Sequence, residues 1–234
     1  MSALNLSILV KRKDNIKNER RNVVTVFSGL SSDNTETGFS ECSEVGKIVA
    51  EKGFDMVCAG ASIGCQKNLI TEALDHGGKV IAVTVPKFAD ELLPALQDNA
   101  IISNSPILSE RKNIMKNLST FGYIILPGGP GTFDELWEVI AEKTEGLGDG
   151  SSKNIVVINT EGFFNPVREQ LRIMADTFRW DAYTKQVIFI DDIKDLSKLF
   201  DEYLGVIDGG RRRHKSHHTR YIKHKSRKTR TLKK

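Results

Sequence analysis

The sequence predicts an α/β fold in which a parallel sheet carries helices on both faces. Three observations point to it. Between Val23 and Tyr203, short apolar runs rich in β-branched residues alternate with stretches whose apolar residues recur at helical spacing. The connections between strand and helix are short, so successive strands pair in parallel through right-handed crossovers. Every loop rich in Gly and Ser follows a strand: Ser28 to Ser32, Ala59 to Gly64 and Pro127 to Thr132. In an open parallel sheet those loops converge on one crevice at the carboxyl ends of the strands.

Taken in order, Val23 to Phe27 reads as the first strand, followed by an amphipathic helix from about Gly38 to Glu51 that Gly53 closes. Phe54 to Cys58 is the second strand, with a helix from the Ala59–Gly64 loop to about Asp75, ended by Gly77 and Gly78. Lys79 to Val85 is the third strand. An irregular piece with Pro86 and Pro94 leads to a weak strand, Ala100 to Ser103, and Pro106 to Ser119 reads as a helix. Gly122 to Leu126 is a strand that delivers the sequence LPGGPGTFDE, and Leu136, Val139 and Ile140 continue it as a helix. After the loop Gly146 to Ser152 come a strand at Asn154 to Asn159, a helix at Gly162 to Phe178, a strand at Val187 to Ile190 and a helix at Ile193 to Tyr203. No internal repeat is visible beyond this alternation.

The 234 residues allow one domain of ordinary size with tails. Residues 1–22 end in a charged, aperiodic run and read as a mobile arm, 23–208 as the folded domain, and 209–234 as a disordered polybasic tail. The formal net charge of +4 divides unevenly: Arg211 to Lys234 holds 12 of the 34 Lys and Arg and no acid, leaving 22 basic against 30 acidic residues, formally −8, in the rest. No apolar run reaches the roughly 18 to 20 residues that span a bilayer. Leu4 to Val10 lacks the basic flank and cleavage site of a secretory leader, and a cytoplasmic location is expected. The tail admits nuclear or virion association. Cys42, Cys58 and Cys65 read as reduced, buried thiols.

His76 is the only histidine before the tail, so a general base is expected to be a carboxylate. Gly128, Gly129 and Gly131 are expected to adopt positive φ and offer bare N–H groups to an anion, with Thr132 capping the helix whose positive dipole end faces the same space. Glu135 follows Thr132 at capping-box spacing, and it also stands where a carboxylate could reach a sugar. Arg111 shares a helical stripe with Met115 and Leu118, so its guanidinium faces the sheet and requires an anionic partner, either a phosphate or Glu135. Lys112 is either part of a solvated face or a phosphate ligand. Ser31 and Ser62 either hold their turns or bind phosphate or ribose.

Ser-Glu-Arg-Lys-Asn-Ile-Met115, followed by Tyr-Ile-Ile-Leu-Pro-Gly-Gly-Pro-Gly-Thr-Phe-Asp-Glu135, resembles the LOG (Lonely Guy) family. That family comprises cytokinin riboside 5′-monophosphate phosphoribohydrolases, long mislabelled as lysine decarboxylases. The resemblance runs from about Val23 to Leu204, and the PGGxGTxxE signature is matched in full. The chain departs from the family pattern at Ala59-Gly-Ala61, Gly64-Cys-Gln-Lys67, Ala141-Glu142 and Ser109.

The resemblance implies a Rossmann-like, doubly wound sheet, a homodimer, and release of a free base and ribose 5-phosphate from AMP or an N6-substituted AMP. It assigns Arg111 and Glu135 to the catalytic positions and Gly128 to Thr132 to the 5′-phosphate. Neither a metal nor a cofactor is required by that chemistry, and no Schiff-base lysine site supports the decarboxylase label. An alternative is a non-catalytic carrier or sensor of nucleotide or molybdenum cofactor on the same fold. The tail would add sequence-independent nucleic-acid binding.

Overall fold

A computed structural model of the chain describes residues 22–29, 41–103, 106–147 and 152–209. Residues 1–21, residues 30–40 with Ser31 among them, and the basic tail lie outside the described residues.

Seven parallel strands form the sheet in the order β4-β3-β2-β1-β5-β6-β7. They are β1 (Asn22–Phe27), β2 (Phe54–Cys58), β3 (Val80–Thr84), β4 (Ile101–Ile102), β5 (Gly122–Ile125), β6 (Asn154–Ile158) and β7 (Val187–Ile190). The helices are α1 (Glu41–Glu51), α2 (Gly64–Asp75), α3 (Leu108–Leu118), α4 (Pro130–Thr144), α5 (Asn165–Phe178), α6 (Ala182–Lys185) and α7 (Lys194–Gly209). Side chains alternate across the sheet because a strand has a period of two. Val24, Val26, Ile124 and Leu126 pack with α1, α2 and α7, whereas Val23, Phe27, Tyr123 and Ile125 pack with α3, α4 and α5. The fold is therefore Rossmann-like and doubly wound, and strands buried on both faces explain the near-continuous apolar runs.

The chain winds outward from β1 to β4, then returns so that β5 pairs with the other edge of β1, Val24 opposite Gly122 and Phe27 opposite Ile125. The switch point between β1 and β5 places the crevice at their carboxyl ends. Gly122 begins β5 at φ +135°, where an added Cβ would lie 2.1 Å from the Asn154 carbonyl oxygen; no other residue fits. On the side facing α3, the buried Thr25 hydroxyl donates to the Met115 carbonyl at 2.9 Å.

Several local expectations are corrected. Residues Pro86–Glu91 and Pro94–Asn99 form two 3₁₀ turns, and β4 is only two residues long. Helix α3 starts at Leu108, and α5 starts at Asn165 because Gly162, at φ +77°, makes a turn before it. The short α6 was not anticipated. Cys42 and Cys65 are not free thiols: they form a disulfide joining the first turns of α1 and α2. Helix packing brings them together, since Gly46 lets α1 approach so closely that a Cβ there would sit 2.2 Å from the Leu69 carbonyl oxygen. Cys58 remains a free, buried thiol, pushed up to about 12 by burial.

Candidate active site

The site begins where two loops touch. The Gly29 N–H donates to the Pro127 carbonyl at 3.1 Å, tying the exit of β1 to the exit of β5. A Cβ on Gly29 would lie 2.6 Å from the Gly128 Cα, and one on Gly128 would lie 2.2 Å from Thr132 Oγ1 and 2.6 Å from the Gly29 nitrogen. Both glycines are thus required by close approach. Positive φ is not the reason, because none of Gly128, Gly129 and Gly131 adopts it. Gly129 and Gly131 differ from Gly128: among the described residues a Cβ on either would meet nothing within 4 Å, so their backbone borders a space those residues leave open.

Helix α4 starts at Pro130 with Gly129 as its N-cap, and no side chain caps it. Proline at the first helical position is preorganised for the helix and has no N–H to satisfy. Thr132 is consequently the third helical residue and does not cap the helix; its buried hydroxyl packs under Gly128. Glu135 is the sixth residue, beyond capping-box range, which removes the purely structural reading of that spacing. The helix end keeps its positive partial charge and its open approach.

Glu135 is 7 % exposed, and its Oε1 accepts a hydrogen bond from Arg111 Nη2 at 3.2 Å. Arg111 reaches it from α3, where Met115 and Leu118 are buried below on the same stripe. The guanidinium Nε–H is buried without a partner among the described residues, so the arginine has a donor to spare. Burial pushes the Glu135 carboxyl up to about 7, only partly opposed by the positive charges of Arg111 and Lys112 and assisted by Asp134. A carboxyl poised near neutrality is suited to proton transfer.

Lys112 does not point at the open space before the helix. Its ammonium lies between Asp134, at 2.7 Å, and Glu138 on α4; burial disfavours its charge, but those hydrogen bonds outweigh it and hold the pKa above the ordinary lysine value. Ser62 is half-buried in the turn between β2 and α2, on the strand next to β1. That turn is stitched down by its surroundings: Ser62 N–H donates to the Glu91 carbonyl at 2.9 Å, Leu93 N–H to the Gly60 carbonyl at 2.8 Å, and Gly60 N–H to the Gln66 side chain at 3.1 Å. Gly60, at φ +87°, must be glycine because a Cβ would meet Ala82 and Leu92. The structure therefore brings together Arg111, Glu135, Gly128 and Thr132, with Gly129 and Gly131 at the open mouth.

Two features escaped sequence reasoning. Asn159 at the end of β6 is a buried knot, donating to Asn165 and Asp191 and accepting the Phe164 N–H at 2.7 Å. Thr160 next to it donates to Glu41, linking the end of β6 to the start of α1. The stretch Asn159-Thr-Glu-Gly-Phe-Phe164 belongs to the part that resembles the LOG family, but the sequence assigned its residues no role.

Residues 67–200 match the family described as "Possible lysine decarboxylase". The chain is 31% identical over 154 residues to a cytokinin riboside 5′-monophosphate phosphoribohydrolase of Mycobacterium marinum, covering 64% of this chain and 79% of the relative. It is 28% identical over 184 residues to a probable cytokinin riboside 5′-monophosphate phosphoribohydrolase of Oryza sativa, covering 77% of this chain and 72% of that one. The chain belongs to the LOG family. Among solved structures, the LOG-family chain is similar to the molybdenum cofactor binding protein of Rippkaea orientalis (TM-score 0.57, 18% identity, 79% of this chain and 98% of that one). It is also similar to the molybdenum cofactor carrier protein of Chlamydomonas reinhardtii (TM-score 0.56, 21% identity, 80% and 99%). At these identities the structural likeness speaks for the fold. Arg111 and Glu135 both fall inside the matched LOG-family region.

Proposed function

We propose that this chain hydrolyses the N-glycosidic bond of a nucleoside 5′-monophosphate, AMP or an N6-substituted AMP, to free base and ribose 5-phosphate. The observation that carries the reading is the buried Arg111–Glu135 pair beside an uncapped glycine helix start in a LOG-family chain. The 5′-phosphate occupies the space before Gly129 and Gly131, where the helix dipole and N–H groups favour an anion, with Thr132 and Ser62 at its edges and the Lys112 charge behind. Ser31 is a further ligand for phosphate or ribose by its sequence alone. That anchor leaves the ribose beside Glu135. As the C1′–N bond breaks, its electron pair leaves with the base and positive charge grows on C1′. Glu135 in its ionised form stabilises that charge and takes the proton of the attacking water, whose oxygen bonds to C1′. The departing base takes up a proton. Arg111 holds Glu135 in place and offers the exposed part of its guanidinium to the phosphate or ribose.

The test is incubation of purified protein with AMP and with isopentenyl-AMP, followed by chromatography for the base. Release that disappears in Glu135→Gln, with AMP affinity kept, supports hydrolysis; no release from either nucleotide by the folded protein overturns it. The stitched Ala59–Lys67 turn, which departs from the family pattern, favours a second reading as a nucleotide or molybdenum-cofactor carrier. Tight binding without turnover in the wild type is its signature.

The family also supports a homodimer, checked by light scattering. No helix among the described residues is long and apolar enough to cross a membrane. The tail, with 12 cations and no acid on a body of formal charge −8, supports weak, sequence-independent nucleic-acid binding. That binding is expected to fall steeply with salt and to vanish on truncation after Gly210; salt-insensitive binding, or binding by the truncated protein, overturns it.

A further inference from the structure

The Arg111–Glu135 pair meets through a single N–O contact of 3.2 Å. One such contact leaves two long side chains free to swing, so their relative placement must come from the helices that carry them. Between those helices lies a ladder of alternating charge. Lys112 stands between Asp134 and Glu138, and Lys116 stands between Glu138 and Glu142. The spacing of four on each helix puts each set on one face. Partner numbers rise together, so α3 and α4 run side by side in the same direction. Both lysines are deeply buried, at 7 % and 6 % exposure, where a charge is costly unless it is paired. Arg111 and Glu135 are the chain neighbours of Lys112 and Asp134, about 100° around their helices from the ladder.

We propose that Lys116, together with Lys112, is a positioning residue for this reaction: the ladder sets where the Glu135 carboxyl stands relative to Arg111. The proposal rests on the hydrolase reading for its effect on rate, but not for its effect on Glu135 itself. Lys116 lies five residues, about 7.5 Å of helix rise, beyond Arg111 and acts through the carboxylates it binds. The alternation satisfies both lysines in one register only; a slip of one turn leaves one of them with a single partner. Without Lys116, Glu138 has Lys112 as its remaining partner and draws that ammonium away from Asp134. The charged groups facing Glu135 are Arg111 and Lys112 from α3 and Asp134 from its own helix, so it loses positive charge nearby.

The experiment compares wild type, Lys116→Met and Lys116→Arg in two readouts. The first is kcat and KM for isopentenyl-AMP. The second is titration of the Glu135 carboxyl by NMR on protein carrying ¹³C-carboxyl glutamate, the signal assigned through Glu135→Gln. Lys116→Met is expected to lower kcat about tenfold with KM within about twofold of wild type, the scale of a small misplacement at the reacting atoms, and to move the Glu135 titration to higher pH. Lys116→Arg is expected to restore both. A lysine that only stabilises the fold would lower the melting temperature and leave kcat per folded molecule and the titration unchanged, which overturns the proposal. If wild type releases no base, the hydrolase reading fails and the titration alone decides. Should Lys116→Met not fold, Glu142→Gln carries the same test, because Glu142 is partly exposed and its loss leaves Lys116 with Glu138 only. An unmoved Glu135 titration there overturns the proposal.

Discussion

Replacing Glu135 by glutamine removes a titrating charge while nearly keeping its shape, and the consequence for stability can be worked from the structure. Burial lifts the carboxyl from its ordinary 4.5 to about 7. At about 1.36 kcal/mol per pH unit, folding disfavours the ionised form by about 3 kcal/mol. The sign follows from which state ionises first. Below pH 4.5 both folded and unfolded chains are protonated and nothing is lost. As pH rises toward 7 the unfolded carboxyl ionises while the folded one resists, so wild-type stability falls, and above about 7 the loss is complete. Glutamine does not titrate. The stability of Glu135→Gln relative to wild type is therefore expected to climb by about 3 kcal/mol between pH 4.5 and 8, on top of a pH-independent offset from exchanging a neutral carboxyl for an amide beside Arg111. Urea unfolding of both proteins across that range measures it. A difference that stays flat, or runs the other way, would show that pairing with Arg111 outweighs burial and would refute the account of Glu135 as a carboxyl poised near neutrality. In the hydrolysis assay the same residue predicts a limb that rises with pH and levels off above about 7, as the basic form accumulates.

Other expectations concern the scaffold around that carboxyl. Gly128→Ala is expected to destabilise by about 1–3 kcal/mol by thermal melting, because its Cβ would collide with Thr132 and Gly29. Gly129→Ala, whose Cβ meets nothing within 4 Å among the described residues, is expected to melt with wild type yet bind AMP more weakly in calorimetry. Cys42→Ser removes a crosslink spanning 23 residues and is expected to cost about 3 kcal/mol, matched by reducing the wild type with dithiothreitol. Arg111→Gln removes the charge that holds the Glu135 pKa down, so its titration is expected to move above 7 and base release to fall by about 100-fold in a steady-state assay.

The strands were legible because the sheet is covered on both faces, and runs such as Val23 to Phe27 have no polar face to confuse the pattern. The Arg111–Glu135 meeting was legible for a related reason. An arginine on the stripe of Met115 and Leu118 has to find an anion, and the following strand-turn-helix delivers one. The helix start was misplaced although Pro130 marks it, because Thr132 offers a cap by residue type and only the backbone path shows that Gly129 has taken that position. Lys112 and Lys116 resemble a solvated charged face in a single sequence, and so do Asp134, Glu138 and Glu142. Only packing α3 against α4 turns the two faces toward each other. The disulfide has no local signal at all: it depends on how closely Gly46 lets two helices approach.

The pairing of Val24 with Gly122 also has a bearing on the order in which this molecule is built during synthesis. The first strand and its loop leave the ribosome about 100 residues before the strand that completes the crevice, and contacts of such separation bear a large closure entropy and form late. The stretch up to β4 can gather its own helices, yet Gly29 has nothing to rest against until Pro127 and Gly128 arrive. On the hydrolase reading, capture of a mononucleotide is thus expected only after β5 has paired with β1. A chain halted before residue 122 would be expected to hold secondary structure by far-ultraviolet circular dichroism and to bind no AMP.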